Sequence, residues 1–155
     1  MDKNNIQNYT FLDKMKKVEE LINNGCDINL KDCYGYTPLI IASMYHNKNM
    51  VILLIEKGAN VNLVDIDCRT ALMYTVDNYD ITKLLIDSGA DVNLIDIDGK
   101  TALMYAVDDY DITKLLIDSG ADVNLIDING KTALIYASQK GHLEVADFLK
   151  ANGAV

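Results

Sequence analysis

Apolar residues recur along the chain in one repeated figure. A threonine stands first, followed by apolar or small residues that share a helix face by i, i+3 spacing: Leu39 with Ala42, Leu72 with Thr75, Leu103 with Ala106. A second apolar cluster follows, Ile81, Leu84 and Leu85 in one copy, and closes at a glycine: Gly25, Gly58, Gly89, Gly120 or Gly153. Ala-Asp-Val-Asn-Leu or a close variant then leads to the next copy. The figure predicts two short helices per copy. Thr37, Thr70, Thr101 and Thr132 offer side-chain oxygens to orphan helix N–H groups. Pro38 suits the first helical position, where its missing N–H costs nothing. The glycines suit the left-handed residue that ends a helix. The Ala-Asp-Val-Asn-Leu segment reads as an extended arm.

The copies are close repeats. Asp65–Ile95 and Asp96–Ile126 differ only at Cys68/Gly99, Arg69/Lys100, Thr75/Ala106 and Asn78/Asp109. Extending the register gives units of about 1–31, 32–64, 65–95, 96–126 and 127–155, with a degenerate front half at Lys3–Lys17. Self-similarity at this period indicates a stack in which neighbours bury what no unit buries alone. About five units over 1–155 predict one elongated domain.

Asp32, Gly35, Thr37, Pro38 and Leu39, followed by a small-residue helix and a Leu-rich helix ending in Gly58, Ala59, Val61 and Asn62, resemble the ankyrin-repeat pattern; Gly141-His142 resembles that family's Gly-His between helices. The resemblance covers essentially the whole chain. It implies an all-α repeat solenoid with a helix-turn-helix and a β-hairpin-like turn per repeat, and is nearly silent on function, because the residues of the pattern are structural.

Two departures from the repeat stand out. Units three and four are two residues short, at the turn between their helices; Tyr79 and Tyr110 fall in that turn, and Asp80 and Asp111 are the expected caps of the second helices. Cys68 stands where the other units have Gly35, Gly99 and Gly130. If that position needs a positive φ, Cys68 carries strain of about 1–2 kcal/mol.

Charge changes the picture next. Units one, two and five are each neutral, unit three is −4 and unit four −5, so the central pair holds the whole formal charge of −9. An acidic field repels phosphate backbones and argues against nucleic-acid binding. The acids either solvate a duplicated surface or form a stripe for a basic or amphipathic partner segment. In ankyrin-like stacks the turn tips and exposed first-helix positions form the concave face. The tips carry Tyr34, Tyr36, Asp67, Arg69, Asp98, Lys100, Asn129 and Lys131; the helix positions carry Met44, Tyr45, Asp77, Asn78, Asp108, Asp109, Gln139 and Lys140. Tyr74, Tyr105 and Tyr136 precede Asp77, Asp108 and Gln139 by three residues and share their helix face. These tyrosines either line the groove beside the acids or pack between units. Asp65, Asp96 and Asp127 open the turns and suit bonds to nearby backbone N–H. Lys83 and Lys114 are placed to offset Asp87 and Asp118 near helix C-termini.

No catalytic constellation or cofactor motif is present in the sequence. The D-I-D-G at Asp96–Gly99 lacks the alternating acids and terminal glutamate of a calcium loop, and His46 and His142 lie far apart without a metal set. His142 reads as a helix-start residue. Cys26, Cys33 and Cys68 are odd in number, which suits reduced thiols in a cytoplasmic compartment, or a host cytosol if the source is a parasite, bacterium or virus. The polar start shows no secretory signal, the Asn8 sequon reads as chance, and no apolar run approaches a membrane span. The ankyrin resemblance also implies asparaginyl hydroxylation as a modification for Asn62, Asn93 and Asn124. The expected role is a monomeric, non-enzymatic module that binds another protein in its concave groove. The alternative is a scaffold that self-associates end to end, because Val145, Phe148 and Leu149 end the stack without an obvious polar cap.

Overall fold

The computed structural model describes Lys16, Glu20 and residues 24–155. The degenerate front half at Lys3–Lys17, Lys16 apart, and the Asn8 sequon lie outside the described residues. Seven α-helices and two 3-10 segments are found among them: α1 Pro38–Met44, α2 Lys48–Glu56, a 3-10 turn Leu72–Tyr74, α3 Tyr79–Asp87, α4 Ala102–Tyr105 continuing as a 3-10 turn Ala106–Asp108, α5 Tyr110–Asp118, α6 Ala133–Lys140 and α7 Leu143–Ala151. No strand is found among the described residues; an isolated antiparallel bridge joins Val64 and Thr70. Among the described residues the fold is the all-helical repeat solenoid that the sequence predicts.

Local chemistry explains each element. Thr37, Thr101 and Thr132 accept hydrogen bonds from the N–H of Ile40, Met104 and Ile135 and cap α1, α4 and α6. Thr70 makes the same contact with Met73 ahead of the 3-10 turn. The helices are short, and packing rather than propensity holds them. Leu39, Leu72 and Leu103 from the first helices, and Leu54, Leu85, Leu116 and Leu149 from the second, are at most 1% exposed. Burying one such side chain contributes about 1.5–3 kcal/mol.

Two sets of polar contacts stitch the units. Each finger-like turn donates to the one before it: the N–H of Ile66, Ile97 and Ile128 bonds the carbonyls of Tyr34, Asp67 and Asp98 at 3.1, 2.9 and 2.9 Å. The arm asparagines of units two to four accept from the next arm and donate to its helix-ending glycine. Asn93 Oδ1 accepts from Asp122 N–H at 2.8 Å, while its Nδ2 donates to the Gly120 carbonyl at 3.0 Å. Asn62 and Asn124 repeat the arrangement. The arms are not extended, as their sequence suggested. Each folds into a tight turn in which Asp91 or Asp122 accepts from the N–H two residues on, because an aspartate there competes for backbone donors.

The shortened units differ in three ways from expectation. Asn78 and Asp109, not Asp80 and Asp111, cap the second helices: their side chains accept from Ile81 and Ile112 N–H. The deletion draws the cap forward by two residues, so Tyr79 and Tyr110 begin the helices rather than occupy the turn. The first helix pays in length, shrinking to the single 3-10 turn Leu72–Tyr74 in unit three. Buried Thr82 and Thr113 then donate hydroxyls to the carbonyls of Thr75 and Ala106, which already accept from Asn78 and Asp109 N–H. Cys68 does adopt φ 59°, as its glycine counterparts predicted. The last unit is also better covered than its sequence suggested: Val145 and Leu149 are buried, and the Phe148 ring lies against Tyr110 at 5.1 Å.

Candidate functional site

The fingers and first helices carry most of the predicted groove residues, but the tyrosines are held differently from expectation. Tyr74, Tyr105 and Tyr136 donate their hydroxyls to Asp65, Asp96 and Asp127 at 2.6, 2.5 and 2.5 Å. They do not turn to Asp77, Asp108 or Gln139. The reason is the finger: its first aspartate is buried and also accepts from two backbone N–H groups, those of Asp98 and Lys100 in the case of Asp96. The tyrosine beneath supplies the remaining donor. Unit two has Ile41 at the tyrosine position, and there Asp32 is exposed.

Electrostatics follow from these bonds. Burial would raise the Asp127 carboxyl, yet bonds from Tyr136 and from the N–H of Lys131 and Asn129 outweigh it and hold it down at about 2. Tyr105 is pushed up to about 12 by burial and by its bond to Asp96. The Asp127 bond, followed by burial, raises Tyr136 to about 12. Burial first, then the Asp65 bond, raises Tyr74 well beyond the ordinary range.

Cations interleave with the half-buried rings. Arg69 and Lys100 sit 5.9 and 5.5 Å from the Tyr105 ring centre, and Lys100 and Lys131 sit 5.5 and 5.4 Å from that of Tyr136. Such contacts are worth about 0.5–1 kcal/mol each at exposed sites. Tyr36 extends the row, its ring edge-on to Tyr74 at 6.4 Å and tilted against exposed Tyr34 at 6.0 Å. The row is therefore a ladder of tyrosines and cations in which each of the three hydroxyls is tied to a finger aspartate rather than to a residue further along its own helix.

The predicted groove acids are largely engaged. Asp77 meets His46 at 3.0 Å, and Asp108 meets Lys140 and His142, each at 2.8 Å. The Lys140 bond, the largest influence, keeps the Asp108 carboxyl below its usual range. Asn78 and Asp109 are consumed as caps. Asp67 and Asp98 are half-buried, with their carbonyls in the finger stitch. Gln139 accepts from Lys131 at 3.1 Å. Met44, Tyr45 and Asn129 are exposed. Asn62, Asn93 and Asn124 have both side-chain polar atoms committed to the arm stitch.

A row of exposed isoleucines lies outside the residues that helical spacing predicts for the groove. Ile66, Ile97 and Ile128 stand on successive fingers at 62%, 62% and 70% exposure, with Ile95 and Ile126 close by at 52% and 60%. The signal was there in the Asp-Ile-Asp or Asp-Ile-Asn that opens each of units three to five, an apolar residue between two polar ones at a turn. Among the described residues no His, Cys, Asp or Glu group could hold a metal ion, and no helix is long and apolar enough to cross a membrane.

Comparison with known proteins agrees with this architecture. The family described as "Ankyrin repeats (3 copies)" matches residues 10–96 and 76–155. An ankyrin repeat protein of fowlpox virus is 39% identical over 69 residues, 44% of this chain and 10% of that protein. A second fowlpox virus ankyrin repeat protein is 43% identical over 56 residues, 36% of this chain and 30% of that protein. The human transient receptor potential cation channel subfamily A member 1 is 39% identical over 67 residues, 43% of this chain and 6% of that protein. The chain thus spans less than a third of each of these relatives. Repeated fingers, paired helices and stitched arms, together with a family match across most of its length, show that the chain belongs to the ankyrin-repeat family.

Proposed function

We propose that this chain is a non-enzymatic module that binds a partner protein along its fingers and first helices. Ankyrin repeats are generally protein–protein interaction modules. The observation that carries the reading is the row of exposed isoleucines, Ile66, Ile97 and Ile128, repeated on three successive fingers. A large apolar side chain exposed in register, unit after unit, gives a partner regularly spaced anchors. Beside them runs the ladder of Tyr74, Tyr105 and Tyr136 with Arg69, Lys100 and Lys131, stiff because every hydroxyl is tied to a buried carboxylate. Rigid aromatic surfaces lose little entropy on binding. The partner is an amphipathic segment: apolar side chains meet the isoleucines, and basic ones meet Asp67 and Asp98, which flank them.

The test is capture of partners from the source organism with three immobilised proteins: wild type, Ile97→Ser with Ile128→Ser, and Asp67→Ser with Asp98→Ser. A protein retained by wild type and lost by the isoleucine variant supports the finger surface. Weaker retention by the aspartate variant, and by wild type at raised salt, supports a basic partner. A partner held equally by all three overturns the reading.

A further inference from the structure

A second surface lies away from the fingers, between the second helices of units three and four. There α3 and α5 leave a cleft of about 390 Å³ lined by Tyr79, Asp111, Lys114, Leu115 and Asp118. Its two flanking junctions show what such a site takes. Counting back from the glycine that ends each second helix, Tyr79 corresponds to Lys48 in unit two and to Tyr110 in unit four; Asp111 corresponds to Asp80, and Leu115 to Phe148.

At the junction of units two and three, Lys48 Nζ lies 2.8 Å from Asp80. At the junction of units four and five, the Phe148 ring packs 5.1 Å from the Tyr110 ring, with Lys114 Nζ 5.9 Å above it. The junction between has neither. Tyr79 replaces the lysine, so Asp111 makes no ion pair among the described residues. Leu115 replaces the phenylalanine, and Tyr79 is 45% exposed beside open space. Lys114 is engaged with Asp118 at 2.6 Å.

We propose that this cleft receives a protein segment carrying an aromatic side chain next to a lysine or arginine. The ring takes the place that Phe148 fills one unit on, against Tyr79 and over Leu115. The cation takes the place of Lys48, on Asp111. A ring buried in a cleft against another ring is the stronger anchor. The cation, on an exposed carboxylate, adds less and is screened by salt.

The test is a titration of the ¹⁵N-labelled full chain with a capped tetrapeptide of glycine, phenylalanine, lysine and glycine, read by amide chemical shifts. Saturable shifts are expected at Tyr79, Asp111 and Leu115. Replacing the peptide's phenylalanine by alanine should weaken binding by at least about tenfold, and replacing its lysine by glutamine by about threefold. Two variants close the site with side chains the protein already uses at the neighbouring junctions: Leu115→Phe fills the space, and Tyr79→Lys supplies Asp111 with its missing cation. Both should abolish the shifts while the rest of the spectrum stays folded, and one suffices should the other unfold. Ile97→Ser with Ile128→Ser should bind the peptide as wild type does, which separates this site from the finger surface. Absence of saturable shifts up to the peptide's solubility, equal binding of all three peptides, shifts that persist in a folded variant, or loss in the finger variant would each overturn the proposal.

Discussion

The two shortened units and the two full-length units beside them share their finger and arm contacts and differ where they turn. In units three and four the deletion of two residues reduces the first helix to 3-10 turns or a four-residue helix, moves the cap to Asn78 and Asp109, and adds a buried threonine bond. Units two and five keep α1 and α6, with seven and eight residues. Yet the finger stitch holds at 3.1, 2.9 and 2.9 Å across all three junctions, and the arm bonds to Asn62, Asn93 and Asn124 at 2.8, 2.8 and 3.1 Å. The stack is thus specified by its fingers, arms and buried leucines, and the outer turn is free to vary. That freedom has consequences at the surface: the short units lend Asp80 and Asp108 to lysines of their full-length neighbours and Asp77 to His46, and they leave a cleft where two short units meet.

The comparison can be broken most severely at the finger aspartate. Asp96→Ala removes a buried carboxylate, orphans the half-buried N–H groups of Asp98 and Lys100 and the Tyr105 hydroxyl, and should cost about 3 kcal/mol. Asp32→Ala, in the unit without the tyrosine and with an exposed carboxylate, should cost about 1 kcal/mol. Urea unfolding of both would measure the gap; equal losses would mean that the tyrosine bond adds nothing.

The next effect is at the finger's positive φ. A Cβ on Gly35 would lie 2.8 Å from the Ile66 nitrogen, so Gly35→Ala should cost about 2 kcal/mol from strain and crowding together. Cys68→Gly should instead stabilise by about 1 kcal/mol, since Cys68 already bears φ 59°. A melting midpoint for Cys68→Gly at or below that of wild type would show that its thiol makes a compensating contact.

The pH dependence is narrower. The Asp127 carboxyl is held at about 2 against an ordinary 3.8, so its contribution is complete above about pH 4 and fades as pH falls toward 2. Tyr136 is raised to about 12 from 10, so its contribution is complete below about pH 10 and fades as pH rises toward 12. Tyr136→Phe should flatten the alkaline limb and shrink the acid one, as followed by circular dichroism across the pH range. An unchanged alkaline limb would assign that loss to other groups.

The smallest expected effect is Thr113→Val. The Ala106 carbonyl keeps its bond from Asp109 N–H, and unit two has Val51 at this register, so the change should stay within about 1 kcal/mol of neutral. A larger loss, seen by thermal unfolding, would make the threonine bond a requirement of the short turn.

The sequence by itself determined the fold of the stack. The near-identity of Asp65–Ile95 and Asp96–Ile126, the threonine caps and the helix-ending glycines are local signals repeated in register, and each is satisfied within one unit or by its copy next door. Even the strain at Cys68 was legible, because three sister positions hold glycine. Only the tertiary structure decided where side chains are held. Nothing in helical spacing shows that Tyr105 turns back nine residues to a buried aspartate rather than along its helix to Asp108, since that choice depends on which carboxylate burial leaves short of a donor. Nor does spacing show that Asp77 and Asp108 are spoken for by His46 and Lys140 of adjacent units, or that Leu115 leaves open what Phe148 fills. These are contacts between units, and they exist only once the stack has brought residues some thirty positions apart within a few ångströms.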